Sequence, residues 1–224
     1  MEVALGQKSV PLEISIINQS FAWMFVGLVV TGLSAIFVAS SPALINALYT
    51  NSILFFGLMI AELGLVFFLS LRINKMSYEA AVASFVSYSF LNGLTLSSIF
   101  LLYTSTSVAS VFFITALVFG TMAVYGYTTK KDLTTIGSLA FMGLIGVILA
   151  SIVNIFLRNS GFNYILSYLT IAIFIGLTAY DTQKIKNISG NASKNLGVLG
   201  ALMLYLDFVN IFINLLRIFG RRRS

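Results

Sequence analysis

The sequence predicts an all-α polytopic membrane protein with seven transmembrane helices, the last of them central and surrounded by the other six. Three observations carry this fold class. Of 224 residues, 58% are hydrophobic and 9% charged, with a mean hydropathy of +0.98, so the chain cannot wrap a soluble core in a wettable surface. Its apolar residues fall into seven runs, each near the ~20 residues that cross a bilayer as a helix. The last run also carries a line of polar side chains on one helical face, which must meet protein or water rather than lipid.

The runs are Phe21 to Ala39, Ile53 to Leu71, Ala80 to Leu102, Val108 to Tyr127, Gly137 to Leu157, Tyr164 to Tyr180 and Leu196 to Phe219. Turn-forming residues separate them: Ser40-Ser41-Pro42, Asn74-Lys75-Met76-Ser77, Thr104 to Ser107, Lys130-Lys131-Asp132, Arg158 to Gly161 and Ser189 to Asn195. Connections this short make consecutive helices antiparallel. Strands are excluded in these runs because open edges cannot be left in hydrocarbon, and an outer-membrane barrel would alternate polar and apolar residues. The chain is read as one seven-helix domain, 1–224, with residues 1–20 a short tail that lacks the pattern of a removable signal peptide. The absence of Cys and His excludes disulfides, thiol catalysis and histidine chemistry.

Loop charge orients the bundle. Lys8, Arg72, Lys75, Lys130, Lys131, Lys184, Lys186 and Lys194 share the side of the amino terminus, against Arg158 in the opposite loops, which makes the amino terminus cytoplasmic. Seven spans then export a tail that holds Arg217, Arg221, Arg222 and Arg223, against the same rule. The eight basic residues favour seven spans over a re-entrant last segment. The net charge of +6 is thus a matter of topology, and no nucleic-acid partner is expected.

Seven acidic residues sort by position. Glu2 and Glu13 fall in the tail, and Glu79 and Asp132 sit at helix entrances, where a carboxylate suits the helix dipole. Glu62, Asp181 and Asp207 lie in or at the ends of apolar runs, where an ionised group costs about 2.5 kcal/mol or more unless paired. In an antiparallel hairpin, residues equidistant from the turn lie side by side; the midpoint of Asp181 and Asp207 is residue 194, in the polar connection. Both carboxylates are therefore expected at similar depth on neighbouring helices, on the cytoplasmic side of mid-membrane, with Lys184 and Lys186 reaching toward water. Two such groups cannot both ionise cheaply and come to share a proton. Deprotonated, they repel one another or attract a divalent cation, for which oxygen ligands suit Ca²⁺. The alternative is that each is satisfied by a neighbour and only fixes packing.

Asp207, Asn210, Asn214 and Arg217 fall at spacings of three, four and three on the last helix, forming the polar face that makes it central. Asn210 and Asn214 could instead be hydrogen-bond glue between helices. Glu62, midway along the second helix, is expected to pair with Arg217. Arg72, at the cytoplasmic end of that helix, is placed to approach Asp181, or simply to snorkel. Asn92, Asn154 and the small residues Gly143, Gly146 and Ala150 read as packing features.

The string GLTAYDTQKI, Gly176 to Ile185, together with ALMLYLDFVNIFINLLRIFG, Ala201 to Gly220, resembles the signature of the Bax inhibitor-1 family, the transmembrane Bax inhibitor motif proteins. The resemblance covers nearly the whole chain, including SYSFLNGLTLSSIF in the third helix. It implies seven helices with the last wrapped by six, and a Ca²⁺ leak channel gated by two proton-exchanging aspartates that match Asp181 and Asp207. It also implies a gating or structural pair at Glu62 and Arg217, with Arg72 the basic residue associated with the dyad. No permanently bound cofactor is implied; Ca²⁺ is the transported ion and protons the signal. Size and charge pattern look like a bacterial inner-membrane member.

Two other functions could use the same aspartates. An aspartyl intramembrane protease also sets a Tyr-Asp against a second Asp to activate water. Tyr180-Asp181 fits, but Leu204-Tyr205-Leu206 stands where such enzymes carry glycines, and no Pro-Ala-Leu follows. A proton-coupled transporter would be expected to show paired repeats or broken helices, which are not evident. A retinal receptor is not expected, since the last helix has no lysine to form a Schiff base.

Overall fold

The computed structural model describes residues 12–188 and 194–223, and side chains from residue 16 onward. Nine α-helices occur among them: α1 (Leu12–Ala39), α2 (Pro42–Thr50), α3 (Ser52–Arg72), α4 (Tyr78–Leu96), α5 (Ser98–Leu102), α6 (Ser105–Thr128), α7 (Thr134–Leu157), α8 (Ser160–Lys186) and α9 (Asn195–Phe219). Seven spans are long and apolar enough to cross a membrane, α4 and α5 together making the third. The other two departures from the expected runs have local causes. Residues 12–20 are not tail but the first turns of α1, and residues 1–11 lie outside the described residues. The connection after Ala39 folds into α2, started by Pro42 behind the cap Ser41, whose hydroxyl accepts from the Leu44 amide.

Side-chain caps set most of the helix starts. The Asn51 carboxamide accepts from the Leu54 amide, Ser77 Oγ from Ala80, Thr104 Oγ1 from Ser107, and Asn159 Oδ1 from Phe162. Helix α7 ends on Arg158 in the left-handed region, φ 51°, a conformation unusual for a residue with a Cβ. Asn154 holds it there: its Oδ1 accepts from Asn159 N at 3.2 Å, and its Nδ2 donates to Asn163 Oδ1 at 2.7 Å. This explains why a polar amide is buried at the end of that span.

The helices alternate in direction, so the molecule has an amino face, with the turns at 73–77 and 129–133, and a carboxyl face, with the turns near 40–51, 97–104 and 158–159. Helix α9 runs from one to the other and is clamped at both. At the amino face Asn195 Nδ2 donates to the carbonyls of Ile73 and Met76 at 3.0 and 2.7 Å. At the carboxyl face Thr104 N donates to Arg221 O at 3.0 Å, and Arg223 N to Leu102 O at 2.9 Å. The arginine-bearing tail thus lies opposite the start of α9, and the last segment is a full crossing rather than a re-entrant one.

Helix α9 is 61% buried over its span, against 11% for α7 and 6% for α3. It packs on α1, α8, α6, α4 and, more lightly, α3. Helix α7 packs instead on α8, and two cavities lined by α7, α8 and α9 separate it from the last helix. Small residues let the backbones approach: a Cβ on Gly197 or Gly200 would run into Gln19 or Ser20 of α1, and one on Gly126 into the Ala179 carbonyl of α8. Gly143 packs on Ile173, but the space beside Gly146 is open, so only the former serves close helix contact.

Candidate functional site

Asp181 and Asp207 reach the same place. They line one cavity of about 500 Å³ between α7, α8 and α9, together with Ser138, Tyr180 and Lys184. Asp181 is 9% exposed and Asp207 2%. Lys184, three residues after Asp181 on α8, brings a cation to the same cavity. Asp207 Oδ2 is buried without a hydrogen-bond partner among the described residues. A buried carboxylate oxygen left bare is costly, and stands out where nearly every other buried polar atom is satisfied.

The sequence builds this arrangement in three ways. First, α8 absorbs its own hydroxyls: Thr178 and Thr182 donate to carbonyls four residues back, each at 2.7 Å, so neither is spent on the carboxylates. Second, Gly126 brings α6 against Ala179, and Gly137 leaves room for the ring of Tyr180, which fixes the helix turn carrying Asp181. Third, Gln183 Oε1 accepts from Leu133 N at 2.9 Å while its Nε2 donates to Lys131 O at 2.8 Å, tying the end of α8 to the α6–α7 connection. Lys186 Nζ donates to Tyr127 O at 2.7 Å. Gln183 is visible in the TAYDTQKI string, but only the fold shows what it holds.

The polar face of α9 continues away from the dyad. Asn210, Asn214 and Arg217 line a second cavity of about 360 Å³, with Ser151 and Thr170. Leu144 and Phe174 line both cavities and form the apolar division between them. The amides do not glue helix to helix: Asn210 Nδ2 donates to Leu206 O at 2.8 Å and Asn214 Nδ2 to Asn210 O at 2.9 Å, both within α9.

The expected pair of Glu62 and Arg217 is not formed. Helix α3 packs on α4, so the Glu62 carboxylate meets that helix: Asn92 Nδ2 donates to Oε2 at 3.1 Å, and Thr95 Oγ1 to Oε1 at 2.9 Å. Arg217 turns to α8 and donates to Ser167 Oγ at 3.1 Å. Nor does Arg72 serve the dyad. It is exposed at the end of α3, a helix that packs on α4 rather than α8, and the cation beside Asp181 is Lys184, one helical turn further along its own helix. Asn92 is more than packing. Its Oδ1 accepts from the hydroxyl of the fully buried Tyr205 at 2.9 Å, and that hydroxyl meets Thr31 Oγ1 at 2.6 Å.

Outside the spans, Asp132 behaves as a helix-entrance carboxylate. Its Oδ1 accepts from Thr134 N at 2.9 Å and Thr134 Oγ1 at 2.6 Å. These bonds hold its carboxyl below the usual carboxylate range.

Fold and site together define a multi-pass helical membrane protein whose sixth and seventh spans present two carboxylates to one internal cavity. The chain belongs to the Bax inhibitor family: the family described as inhibitor of apoptosis-promoting Bax1 matches residues 14–224. It is 49% identical over 212 residues to the inner membrane protein YbhL of Escherichia coli K12, covering 92% of this chain and 91% of that one. A protein of Borreliella burgdorferi is 42% identical, covering 91% and 90% of the two chains. A membrane protein of Streptococcus pyogenes serotype M1 is 41% identical, covering 80% and 79%.

Proposed function

We propose that this protein is a pH-sensitive Ca²⁺ leak channel of a bacterial inner membrane, with its amino terminus cytoplasmic, in which a proton shared between Asp181 and Asp207 sets whether the path conducts. The observation that carries the reading is the meeting of both carboxylates in one cavity, one of them with a buried oxygen that has no hydrogen-bond partner among the described residues. A polar network kept for packing alone would be fully bonded; an unsatisfied carboxylate suits a proton or a passing cation. Among the described residues no third carboxylate, cysteine or histidine joins the pair. A site with so few charged ligands favours passage of Ca²⁺ over retention, because affinity rises with ligand charge and number.

The path suggested runs from the dyad cavity, past Leu144 and Phe174, to the cavity lined by Asn210, Asn214 and Arg217. Loss of the shared proton changes the dyad from a hydrogen-bonded pair to two like charges, and α8 and α9 respond as the elements that carry them. The Escherichia coli relative is named an inner membrane protein, which supports the localisation.

The test is Ca²⁺ entry into proteoliposomes between roughly pH 5 and 8, the range in which a shared proton would be exchanged. The native chain is expected to conduct with a pH-dependent rate, and Asp181→Asn or Asp207→Asn to flatten that dependence. Native flux that ignores pH, or no protein-dependent flux, would overturn the reading.

A further inference from the structure

The carboxyl face carries a charge pattern that topology does not explain. Arg158, Arg217, Arg221, Arg222 and Arg223 all lie there, whereas every lysine described lies at the amino face. No carboxylate among the described residues accompanies these arginines. Positive charge on the face that already has fewer basic residues runs against the orientation rule, so these side chains need another reason to be there. Arginine rather than lysine is itself informative, since the planar guanidinium matches the two-oxygen geometry of a phosphate.

Two of the five converge. Arg217 and Arg222 line a single cavity of about 420 Å³ at the end of α9, and Asn163 and Tyr103 line it with them. Arg217 uses Nη1 on Ser167, which leaves the rest of its five donors. Asn163 uses its Oδ1 on Asn154, which leaves its Nδ2 group as a donor. Arg222 makes no side-chain hydrogen bond among the described residues, yet its backbone is fixed. The residues on either side of it are tied down, Arg221 N to Ser107 Oγ and Arg223 N to Leu102 O, each at 2.9 Å. Arg217 and Arg222 are both exposed, and an anchored backbone that keeps two exposed guanidinium groups on one cavity, with no carboxylate among the described residues beside them, suits an anion.

The rest of the lining says which anion. Leu96, Leu102 and Ile213 give the cavity an apolar side, and it sits at the helix ends, at the depth where a bilayer changes from hydrocarbon to headgroup. A free phosphate would use only the donors. A ligand with a phosphodiester at one end and acyl carbons at the other uses both parts.

We propose that this cavity is a binding site for the headgroup of an anionic phospholipid, its phosphate held between Arg217 and Arg222 and its first acyl carbons against Leu96, Leu102 and Ile213. The site lies apart from the dyad but shares Ile213 and Arg217 with the cavity at the far end of the proposed path, so its test is a binding measurement rather than a flux.

The full chain, purified in detergent, is titrated with short-chain phosphatidylglycerol, phosphatidylcholine or inorganic phosphate, and its thermal unfolding midpoint recorded. Phosphatidylglycerol is expected to raise the midpoint saturably, with phosphatidylcholine and phosphate well behind. Arg222→Gln is expected to weaken the apparent affinity about tenfold, the loss of one charge-assisted phosphate contact. Arg158→Gln, on the same face but outside the cavity, should leave it unchanged. Should Arg222→Gln fail to fold, Arg217→Gln carries the same expectation. Equal stabilisation by phosphatidylcholine would overturn the proposal in favour of apolar solvation, and equal stabilisation by phosphate would reassign the site to a soluble anion. Equal weakening by Arg158→Gln would reduce it to diffuse surface charge.

Discussion

Glu62, half-buried on α3, and Asp207, buried on α9, meet different surroundings in this bundle. Glu62 approaches through α4 and ends in a closed network, with both its oxygens bonded by Asn92 and Thr95 and Asn92 in turn bonded by Tyr205. Asp207, two residues from Tyr205 on the same helix, ends in a cavity beside a second carboxylate, its buried Oδ2 without a hydrogen-bond partner among the described residues. Position in an apolar run is the same warning for both, since either is costly in hydrocarbon. What separates them is satisfaction. A bonded carboxylate holds helices in register, whereas an unbonded one is left available for a proton or an ion.

The largest expected effects come from exchanging the roles. Asn92→Ala takes one bond from Glu62 and one from Tyr205, inside an aromatic cluster where Tyr205 stacks edge-on against Phe85 and Tyr88 at 5.8 and 5.6 Å. Leaving such partners bare is expected to cost about 2 kcal/mol or more, read as a lower unfolding midpoint in detergent, with the shape of any flux-pH profile retained. Asp207→Asn is expected to do the reverse: a midpoint within the scatter of ordinary substitutions, about 0.5 kcal/mol, and a flattened profile. If Asp207→Asn proved the more destabilising of the two, the distinction between a structural and a functional carboxylate would collapse.

A smaller effect is expected at the division between the two cavities. Phe174 and Leu144 are the apolar side chains shared by both linings, and hydrophobic constrictions impede ions by excluding water. Phe174→Ala is expected to raise protein-dependent Ca²⁺ entry several-fold at every pH, because it widens the neck without touching the carboxylates. An increase confined to one end of the pH range would instead place Phe174 within the proton response.

Much of this was legible beforehand, for physical reasons. Membrane spans are written in composition, because each must be apolar over its whole length. The meeting of Asp181 and Asp207 was legible because a hairpin with a short connection fixes relative depth. The pairing of Glu62 was not, because depth says how far along a helix a group sits and nothing about which neighbour it faces. Arg217 was a plausible partner by charge, but α3 turned out to pack on α4, and an amide and a hydroxyl close at hand served instead. Arg72 failed in the same way, placed by level and missed by azimuth. Asn154 read as a packing amide until the left-handed turn at Arg158 showed what it holds.

The smallest effect expected belongs to a carboxylate outside both regions, and it sharpens the contrast by showing what an exposed acid does. Asp132 accepts two bonds from Thr134 at the entrance to α7, and those bonds favour its charged form. A carboxyl whose folded value is lowered contributes fully above its unfolded value, about 4, and loses that contribution as pH falls toward the folded one. The Thr134 amide is therefore expected to exchange slowly at neutral pH and faster, relative to the intrinsic rate, in acid. Asp132→Ala should exchange fast throughout, with the Ca²⁺ flux profile unchanged. A shift of that profile in Asp132→Ala would mean that the α6–α7 connection transmits charge through Gln183 to the turn bearing Asp181, and that the dyad does not sense protons alone.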